Sequence, residues 1–222
     1  MVSGAVGEAT VMAVNLLLLV LAYLWGSLPP GYIAGRLAGI DIRQVGSGST
    51  GATNVLRTLG KGPALVVFAI DLLKGVAAIL CARWVWQTWP GWNPGDTRLW
   101  WELAYALAAL VGHSKSIWIN WQGGKSVATG LGLLLLFAWP VALGALAVFV
   151  LLVATVRIVS LGSIAACLTA SGLALVLPIP LPYQLYVLLG SAYIIWCHRS
   201  NIQRLRQGTE PRLGAAKPSG GG

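Results

Sequence analysis

Two stretches of the chain combine closely spaced glycines with hydroxyl, amide and cationic side chains, a combination suited to binding phosphate. The first stretch, residues 46–57, reads GSGSTGATNVLR. Glycines let successive backbone N–H groups turn toward one point and form an anion-binding nest, which polar side chains line with further donors. The alternative is a flexible Gly/Ser loop, and Arg57, one helical turn after Asn54, argues against it. The predicted phosphate ligands of this stretch are Gly46, Gly48, Ser49, Gly51, Thr53 and Asn54.

The second stretch places two glycines directly before a predicted helix N-terminus. Gly123 and Gly124 precede Lys125 and Ser126, and a helix N-terminus with a cation in its first turn attracts phosphate. We therefore predict a second phosphate site from these four residues; the alternative for Lys125 is a charge that snorkels to the membrane surface. Neither stretch is a nucleotide motif, because no strand precedes the GxGxxG of the first and the first Walker A glycine would fall at Ile119 in the second.

Further polar residues lie within or beside apolar runs. Ser160 and Ser163 share a helix face, as do His198 and Asn201 after the last run. The alternative for each serine is a hydrogen bond to its own helix backbone. The DLLKG segment, residues 71–75, carries an acid and a base three positions apart in an apolar run, which we interpret as a structural ion pair because isolated charges there are costly.

The elements that must position these residues are membrane helices. Apolar residues make up 57% of the 222-residue chain and charged residues 9%, with a mean hydropathy of +0.76, whereas about 25% of a soluble domain is charged. This composition excludes a soluble globule and indicates the lipid bilayer as the surroundings. Three cysteines without a CxxC pair and two histidines predict no disulfide framework and no metal site. We also predict no cofactor, and no nucleic acid partner, because the net charge of +9 comes without long basic tracts.

The distribution of charge indicates the topology. The apolar runs cover residues 11–33, 63–86, 100–119, 127–156, 159–177 and 183–197. The run of 30 residues at 127–156 has Pro140 near its middle and is long for one crossing of about 20 residues. Most basic residues fall in four segments, which share the cytoplasmic face only if this run crosses twice. The prediction is an all-α bundle of seven transmembrane helices, N-terminus out and C-terminus cytoplasmic, with one domain at 1–210 and a flexible tail at 211–222.

Several motifs, in order, resemble one known family over nearly the whole chain. They are GSLP (26–29), GSGSTGATNVLR (46–57) followed by LGK (59–61), DLLKG (71–75), GH (112–113) with GGKSVAT (123–129), VSLGSI (159–164) and HRSNIQRLRQGTEPRLG (198–214). The chain thus resembles the PlsY family of bacterial acyl-phosphate glycerol 3-phosphate acyltransferases. The resemblance implies transfer of a fatty acyl group from acyl phosphate to glycerol 3-phosphate, giving 1-acylglycerol 3-phosphate (lysophosphatidic acid) and phosphate in phospholipid biosynthesis.

The resemblance also implies a location, a partner and a set of residues. The location is the bacterial inner membrane, with the active site on the cytoplasmic face, and the partner is a soluble PlsX-like enzyme that makes acyl phosphate. The positions that match the family's catalytic residues are Ser47, Arg57, Lys125, Ser163, His198 and Asn201. The chain departs from the family pattern at Ser49-Thr50, where Asn-Pro is usual, and at Ser126, where glycine is usual. We expect the Ser126 side chain to tighten or crowd phosphate entry.

The chemistry of an acyl phosphate fits this set of residues. A mixed anhydride already has a good leaving group, so the enzyme has to hold two anions together and orient a hydroxyl. The planar fork of Arg57 and the point charge of Lys125 meet that demand. Either His198 or a phosphate oxygen of the substrate accepts the hydroxyl proton.

The alternative function is a membrane transporter of small phosphorylated anions. Phosphate nests on one face of a membrane bundle suit either function. Transporters usually have repeated halves and a mid-membrane site, and the sequence has no resembling halves. The sequence therefore favours the enzyme.

Overall fold

The described part of the chain is entirely helical. The computed structural model describes residues 2–214, with side chains from residue 7 onward. Within this part there is no β-strand, which confirms the all-α prediction. The α-helices are α1 Val2–Ser27, α2 Pro30–Leu37, α3 Ala52–Leu59, α4 Lys61–Thr88, α5 Arg98–Ser114, α6 Val127–Val156, α7 Val159–Val176, α8 Leu181–Cys197 and α9 Arg199–Arg206. Short 3₁₀ turns lie at Ile42–Gln44, Pro90–Trp92, Gly95–Thr97 and Ile117–Ile119.

Four helical segments in the described residues are long and apolar enough to cross a membrane. They are Gly7–Leu37, Lys61–Thr88, Val127–Val156 and Val159–Val176. The first contains both α1 and α2, which are separated at Leu28 and Pro29 because a residue before proline disfavours the helical conformation. Helix α8 is apolar but shorter, and α5 has 17 residues.

Helix α6 reverses its direction near the middle. Ala138 has non-helical angles (φ −154°, ψ 70°) two residues before Pro140, which cannot donate a backbone hydrogen bond and clashes with the preceding turn. Val127 and Val153 nevertheless line the same cavity of about 440 Å³, whereas a straight helix would separate them by about 39 Å. The halves 127–137 and 139–156 therefore lie side by side as a helical hairpin. The break predicted near Pro140 is present.

Small residues bring the helices close together. A Cβ atom at Gly26 of α1 would overlap the backbone of Ala109 in α5, and one at Gly112 would overlap the carbonyl oxygen of Tyr23. A Cβ at Gly132 of α6 would overlap the Leu72 carbonyl of α4 in the same way. Close backbone approach through small residues is the usual way in which membrane helices pack. These contacts join α1 to α5 and α4 to the first half of α6.

A polar cluster lies toward the ends of these helices that are far from the phosphate-binding stretches. The carboxylate of Glu102 accepts hydrogen bonds from Arg83 (Nε 2.9 Å, Nη2 2.7 Å) and from the Tyr183 hydroxyl (2.6 Å). We name Arg83, Glu102 and Tyr183 the distal cluster. Beside it, the buried Asn15 accepts hydrogen bonds through Oδ1 from Trp86 Nε1 (3.0 Å) and the Tyr105 hydroxyl (2.7 Å).

Candidate active site

The first glycine-rich stretch is shaped by Asn54. Its Oδ1 accepts a hydrogen bond from the Ser47 backbone N–H (2.9 Å), and its Nδ2 lies 2.9–3.1 Å from the carbonyl oxygens of Ile42, Val45 and Ser49. Gly46 has φ +61°, and a Cβ there would overlap Asn54 Oδ1. The Asn54 amide is thus used to hold the loop, which is a different role from the predicted one of direct phosphate ligand.

Helix α3 carries Arg57 from this loop into the cavity. Val55 of this helix is fully buried. Arg57 lines the cavity, and its guanidinium donates from Nη2 to the Pro211 carbonyl (3.3 Å). Burial lowers the Arg57 pKa from its ordinary value, yet an arginine stays charged at any physiological pH. Arg57 is therefore a permanently charged cation in the cavity wall.

The second glycine-rich stretch rests on the last turn of α5. The Gly124 N–H donates to the His113 carbonyl (3.1 Å), and a Cβ at Gly124 would overlap the His113 ring at Nε2. Ser126 has φ +61° and donates from Oγ to the Leu110 carbonyl (2.7 Å). Ser126 is completely buried and outside the cavity lining, so its side chain does not stand where we expected it to crowd phosphate entry.

Lys125 is a half-buried cation without a protein partner in the described residues. Its side chain lines the cavity, and no hydrogen bond or ion pair reaches its Nζ. Burial, with further contributions from Arg204 and Arg57, lowers the Lys125 pKa to about 8, although Glu210 opposes the shift. Two positive groups, Arg57 and Lys125, are thus held near each other in one cavity, an arrangement that a bound anion would stabilise.

Helices α7 to α9 supply the opposite wall. His198 Nδ1 lies 2.8 Å from the Ile194 carbonyl, which requires a proton on Nδ1 and leaves the Nε2 lone pair as an acceptor. Burial lowers the His198 pKa to about 4, and the nearby Lys125 adds to the shift. Ser163 Oγ donates to the Val159 carbonyl (2.9 Å), which is the alternative considered for this serine, while the side chain still lines the cavity.

These walls enclose a cavity of about 440 Å³. It brings together all six residues predicted as catalytic, namely Ser47, Arg57, Lys125, Ser163, His198 and Asn201. Four of the predicted phosphate ligands also line it: Ser49, Gly51, Thr53 and Asn54. The others are not part of the lining: Gly46, Gly48, Gly123, Gly124 and Ser126.

Several polar atoms in the cavity wall have no protein hydrogen-bond partner within residues 7–214. They are Ser47 Oγ, Lys125 Nζ, the His198 Nε2 atom and the buried Asn201 Oδ1. Buried polar groups are normally paired. Of these four residues, His198 and Asn201 are buried, and their unpaired atoms in one cavity indicate a polar ligand.

A second, apolar pocket adjoins the polar cavity. Its volume is about 130 Å³, and it lies among helices α6, α7 and α8. Phe68, Val127, Ala128, Phe149 and Ser163 line both spaces. A ligand with an anionic head and an apolar tail fits this pair of spaces.

Comparison with known proteins identifies the family. A family model described as glycerol-3-phosphate acyltransferase matches residues 16–208. The chain belongs to this family. Among its relatives, the glycerol-3-phosphate acyltransferase of Synechococcus elongatus is 55% identical, with 87% of this chain and 92% of the relative covered. The enzyme of the same name from Acaryochloris marina is 50% identical, with 91% and 94% covered.

Solved structures of the glycerol-3-phosphate acyltransferase family have the same fold. The crystal structure of PlsY, an integral membrane glycerol 3-phosphate acyltransferase, in its glycerol 3-phosphate form matches with a TM-score of 0.80 and 36% identity, covering 90% of this chain and 96% of that one. Its lysophosphatidic acid form matches with a TM-score of 0.78. The predicted PlsY family and the membrane-protein class are confirmed.

Glu210 lines the cavity and is not among the predicted site residues. Glu210 accepts hydrogen bonds from Ser160 Oγ (2.7 Å), Asn201 Nδ2 (2.6 Å) and Arg204 Nε (2.7 Å). Burial acts to raise the Glu210 pKa, but these three donors outweigh it and the net shift is downward. The available signal was a single acidic residue in a strongly basic segment, residues 199–214.

The Glu210 contacts belong to a C-terminal segment that crosses the cavity. The Leu213 N–H donates to the Arg157 carbonyl (2.7 Å), and Leu213 lines the cavity. Residues 211–214 of the predicted flexible tail are therefore attached to the helical body, and residues 215–222 lie outside the described part. Within that part no three His, Cys, Asp or Glu side chains are grouped to hold a metal ion, and the absence of metal and cofactor stays a prediction.

Proposed function

We propose that this acyltransferase uses acyl phosphate as its donor and acylates glycerol 3-phosphate to lysophosphatidic acid, with release of phosphate. The observation that carries the proposal is a single cavity that is lined by three cations, Arg57, Lys61 and Lys125, contains further polar atoms without a protein partner in the described residues, and is joined to an apolar pocket. The polar part suits two phosphate groups, and the apolar part suits the first portion of a fatty acyl chain. A phosphorylated-anion transporter would have no use for the apolar pocket.

Arg57 and Lys125 hold the phosphate groups in this proposal. Arg57 offers a planar pair of N–H donors to one phosphate, and Lys125 offers a point charge at the start of α6. As phosphate leaves the acyl carbon, negative charge increases on its oxygens, and cations already in place stabilise that charge without rearrangement. A bound phosphate dianion also raises the Lys125 pKa and keeps the ammonium charged.

Asn201 and His198 orient the attacking hydroxyl. Glu210 holds the Asn201 amide by its Nδ2 group, so the unpaired Oδ1 is presented as an acceptor. His198 presents the Nε2 lone pair, which would repel a phosphate oxygen but accepts a hydrogen bond from a hydroxyl. Both acceptors therefore select the two hydroxyl groups of glycerol 3-phosphate rather than a phosphate, and the attacking hydroxyl turns its one proton to phosphate as it reacts.

A phosphate oxygen of the substrate accepts the proton. The hydroxyl oxygen bonds to the acyl carbon, the bond from that carbon to the phosphate oxygen breaks, and the proton passes to phosphate. With a pKa of about 4, His198 is a weak base at neutral pH. A phosphate ester with a pKa near 6 is a better match.

The proposed topology has seven membrane crossings, with the N-terminus outside and the C-terminus in the cytoplasm. The reversal at Ala138 supports two crossings by α6, and the basic segments then share the inner face. The cavity would open to the cytoplasm at the bacterial inner membrane, where a soluble PlsX-like enzyme could deliver acyl phosphate to the basic surface.

The test is an assay of purified protein with palmitoyl phosphate and radiolabelled glycerol 3-phosphate. We expect lysophosphatidic acid and phosphate in equal amounts and no product from acyl-CoA. Formation of lysophosphatidic acid from acyl-CoA alone would contradict the proposed donor. Lys125→Ala is the matched control, and it should lose activity while keeping its helical circular dichroism.

A further inference from the structure

A buried network of Asp71, Lys74 and His113, which the proposed reaction does not use, lies beside the Gly123-Gly124-Lys125 turn, and Asp71 and His113 also line the cavity. Asp71 Oδ1 is 2.8 Å from Lys74 Nζ and 3.2 Å from His113 Nδ1. Lys74 Nζ also donates to the Leu28 carbonyl (2.8 Å), and the exposed fractions of the Asp71 and Lys74 side chains are only 2% and 3%. The carboxylate is thus fixed on one side by α4 and faces His113 on the other.

The tautomer of His113 follows from its neighbours. The Thr129 hydroxyl donates to the Asp71 carbonyl (2.8 Å), so toward His113 Nδ1, at 3.2 Å, it can only accept. Two acceptors, Thr129 Oγ1 and Asp71 Oδ1, therefore flank Nδ1, which must carry the proton. The Nε2 atom is left with a lone pair, so a neutral His113 cannot donate to a phosphate.

The same ring supports the turn. The Nε2 edge of the ring packs against the Cα of Gly124, and the backbone carbonyl of His113 accepts the Gly124 N–H. Lys125 follows directly, and Ser126 is tied to Leu110, one turn before His113 on α5. The position of the turn, and with it the position of the Lys125 ammonium, depends on the orientation of the His113 ring.

We propose that His113, oriented by Asp71, is a positioning residue that sets the affinity of the Lys125 turn for a phosphorylated substrate. This inference rests on the proposed function only in that the turn binds a phosphate group. A displacement of about 1 Å in a substrate-binding group can cost up to about 100-fold, so the ring acts on affinity through the turn that it supports, in a cavity whose lining includes His113 itself.

The test is a double-mutant cycle between His113→Asn and Gly124→Ala. Asparagine keeps a donor near the Nδ1 position but lacks the Nε2 edge that meets Gly124. We expect each single variant to raise the KM for glycerol 3-phosphate or for palmitoyl phosphate about 10-fold, with kcat reduced less than about threefold. In the double variant the added methyl group has space, so the two effects should combine to less than their product.

Binding measurements made beside the kinetics distinguish a failure of this inference from a failure of the proposed acyl donor. Affinity for glycerol 3-phosphate and for inorganic phosphate is measured by calorimetry beside the kinetics. If the wild-type chain binds these anions but does not use palmitoyl phosphate, the donor is wrong and the affinity cycle still tests His113.

Two results would overturn the positioning role. One is an unchanged KM and unchanged anion affinity in His113→Asn, since a merely structural effect lowers the active fraction alone. The other is full multiplicative behaviour in the double variant. Tyr183→Phe in the distal cluster is the matched control, and it should lower the unfolding temperature without changing either KM.

Discussion

The distal cluster and the cavity, two polar regions of the helical bundle, differ in how their polar atoms are satisfied. In the distal cluster the Glu102 carboxylate receives three hydrogen bonds. In the cavity, Lys125 Nζ and Asn201 Oδ1 have no protein partner in the described residues. Tyr183 lies near the start of α8, and His198 caps its end. The fifteen positions between them correspond to about 22 Å along the helix axis. In this comparison, the fully paired charges of the distal cluster serve stability and the unpaired polar groups of the cavity serve binding.

The same substitution at the two clusters gives the largest expected contrast. Arg57→Lys keeps the charge but loses the bidentate fork, so we expect kcat to fall by roughly 30- to 1000-fold, equivalent to about 2–4 kcal/mol of transition-state stabilisation. Arg83→Lys loses the corresponding fork to Glu102. There we expect turnover within about twofold of wild type and an unfolding temperature about 2–6 °C lower.

Steady-state kinetics and thermal unfolding in detergent are the measurements. Near-normal turnover of Arg57→Lys would remove Arg57 from the catalytic set. A loss of turnover in Arg83→Lys comparable with that of Arg57→Lys would end the distinction between the two clusters.

Glutamate to glutamine provides the next contrast. In Glu210→Gln, one carboxylate oxygen becomes an NH₂ group. The side chain then no longer accepts all of the hydrogen bonds from Ser160, Asn201 and Arg204. Because hydrogen bonds to charged groups contribute about 1.5–3 kcal/mol, we expect kcat to fall by about 10- to 100-fold as the Asn201 amide loses its orientation. Glu102→Gln should instead lower the unfolding temperature and leave kcat nearly unchanged. Equal kinetic effects at both positions would contradict the comparison.

The cavity could be predicted from the sequence to the extent that its residues lie in local motifs. Arg57 and Lys125 follow glycine-rich stretches whose backbone chemistry is evident in the sequence. The pairing of Asp71 with His113 could not be predicted, because the two residues are on different helices and meet only through helix packing. Glu210 was missed for a similar reason, since its partners on α7 and α9 are brought to it by the return of the C-terminal segment.

The helical fold was easier to predict than the orientation of side chains. Hydropathy identified every long apolar run, and the length of the 127–156 run together with Pro140 predicted the break found at Ala138. Which face Ser126 turns to, however, depends on a positive φ and on one carbonyl of α5. Neither is encoded in a local pattern.

The pH dependence of kcat/KM tests the unpaired groups of the cavity. Lys125, with a pKa of about 8, loses its charge above that pH, so activity should fall on the alkaline side, and Lys125→Arg should move this limb upward. His198, with a pKa of about 4, is neutral above pH 4. If it were the base, activity would fall only near pH 4, and His198→Gln would lack that limb.

Proton transfer to a substrate phosphate predicts a different acidic limb. It should lie near pH 6, the second pKa of a phosphate ester, and it should persist in His198→Gln with a turnover reduced about 10-fold through lost orientation of the hydroxyl. Profiles of both proteins are measured under the same conditions. An acidic limb near pH 4 in the wild type that disappears in the variant would identify His198 as the base.

Ser126 gives the smallest expected effect, and its sign separates two interpretations. Its left-handed backbone conformation (φ +61°) costs a non-glycine residue about 1 kcal/mol, and its hydrogen bond to the Leu110 carbonyl (2.7 Å) returns about 1 kcal/mol. Ser126→Gly removes both, so we expect an unfolding temperature within about 2 °C of wild type. Ser126→Ala keeps the strained backbone and loses the hydrogen bond, so it should be less stable by about 1 kcal/mol.

If Ser126 crowds phosphate entry, Ser126→Gly lowers the KM for the phosphorylated substrate. If Ser126 fastens the Lys125 turn to α5, the KM rises by up to about threefold, because one of several contacts that hold the turn has been removed. We expect the rise, since the buried Oγ faces Leu110 and not the cavity.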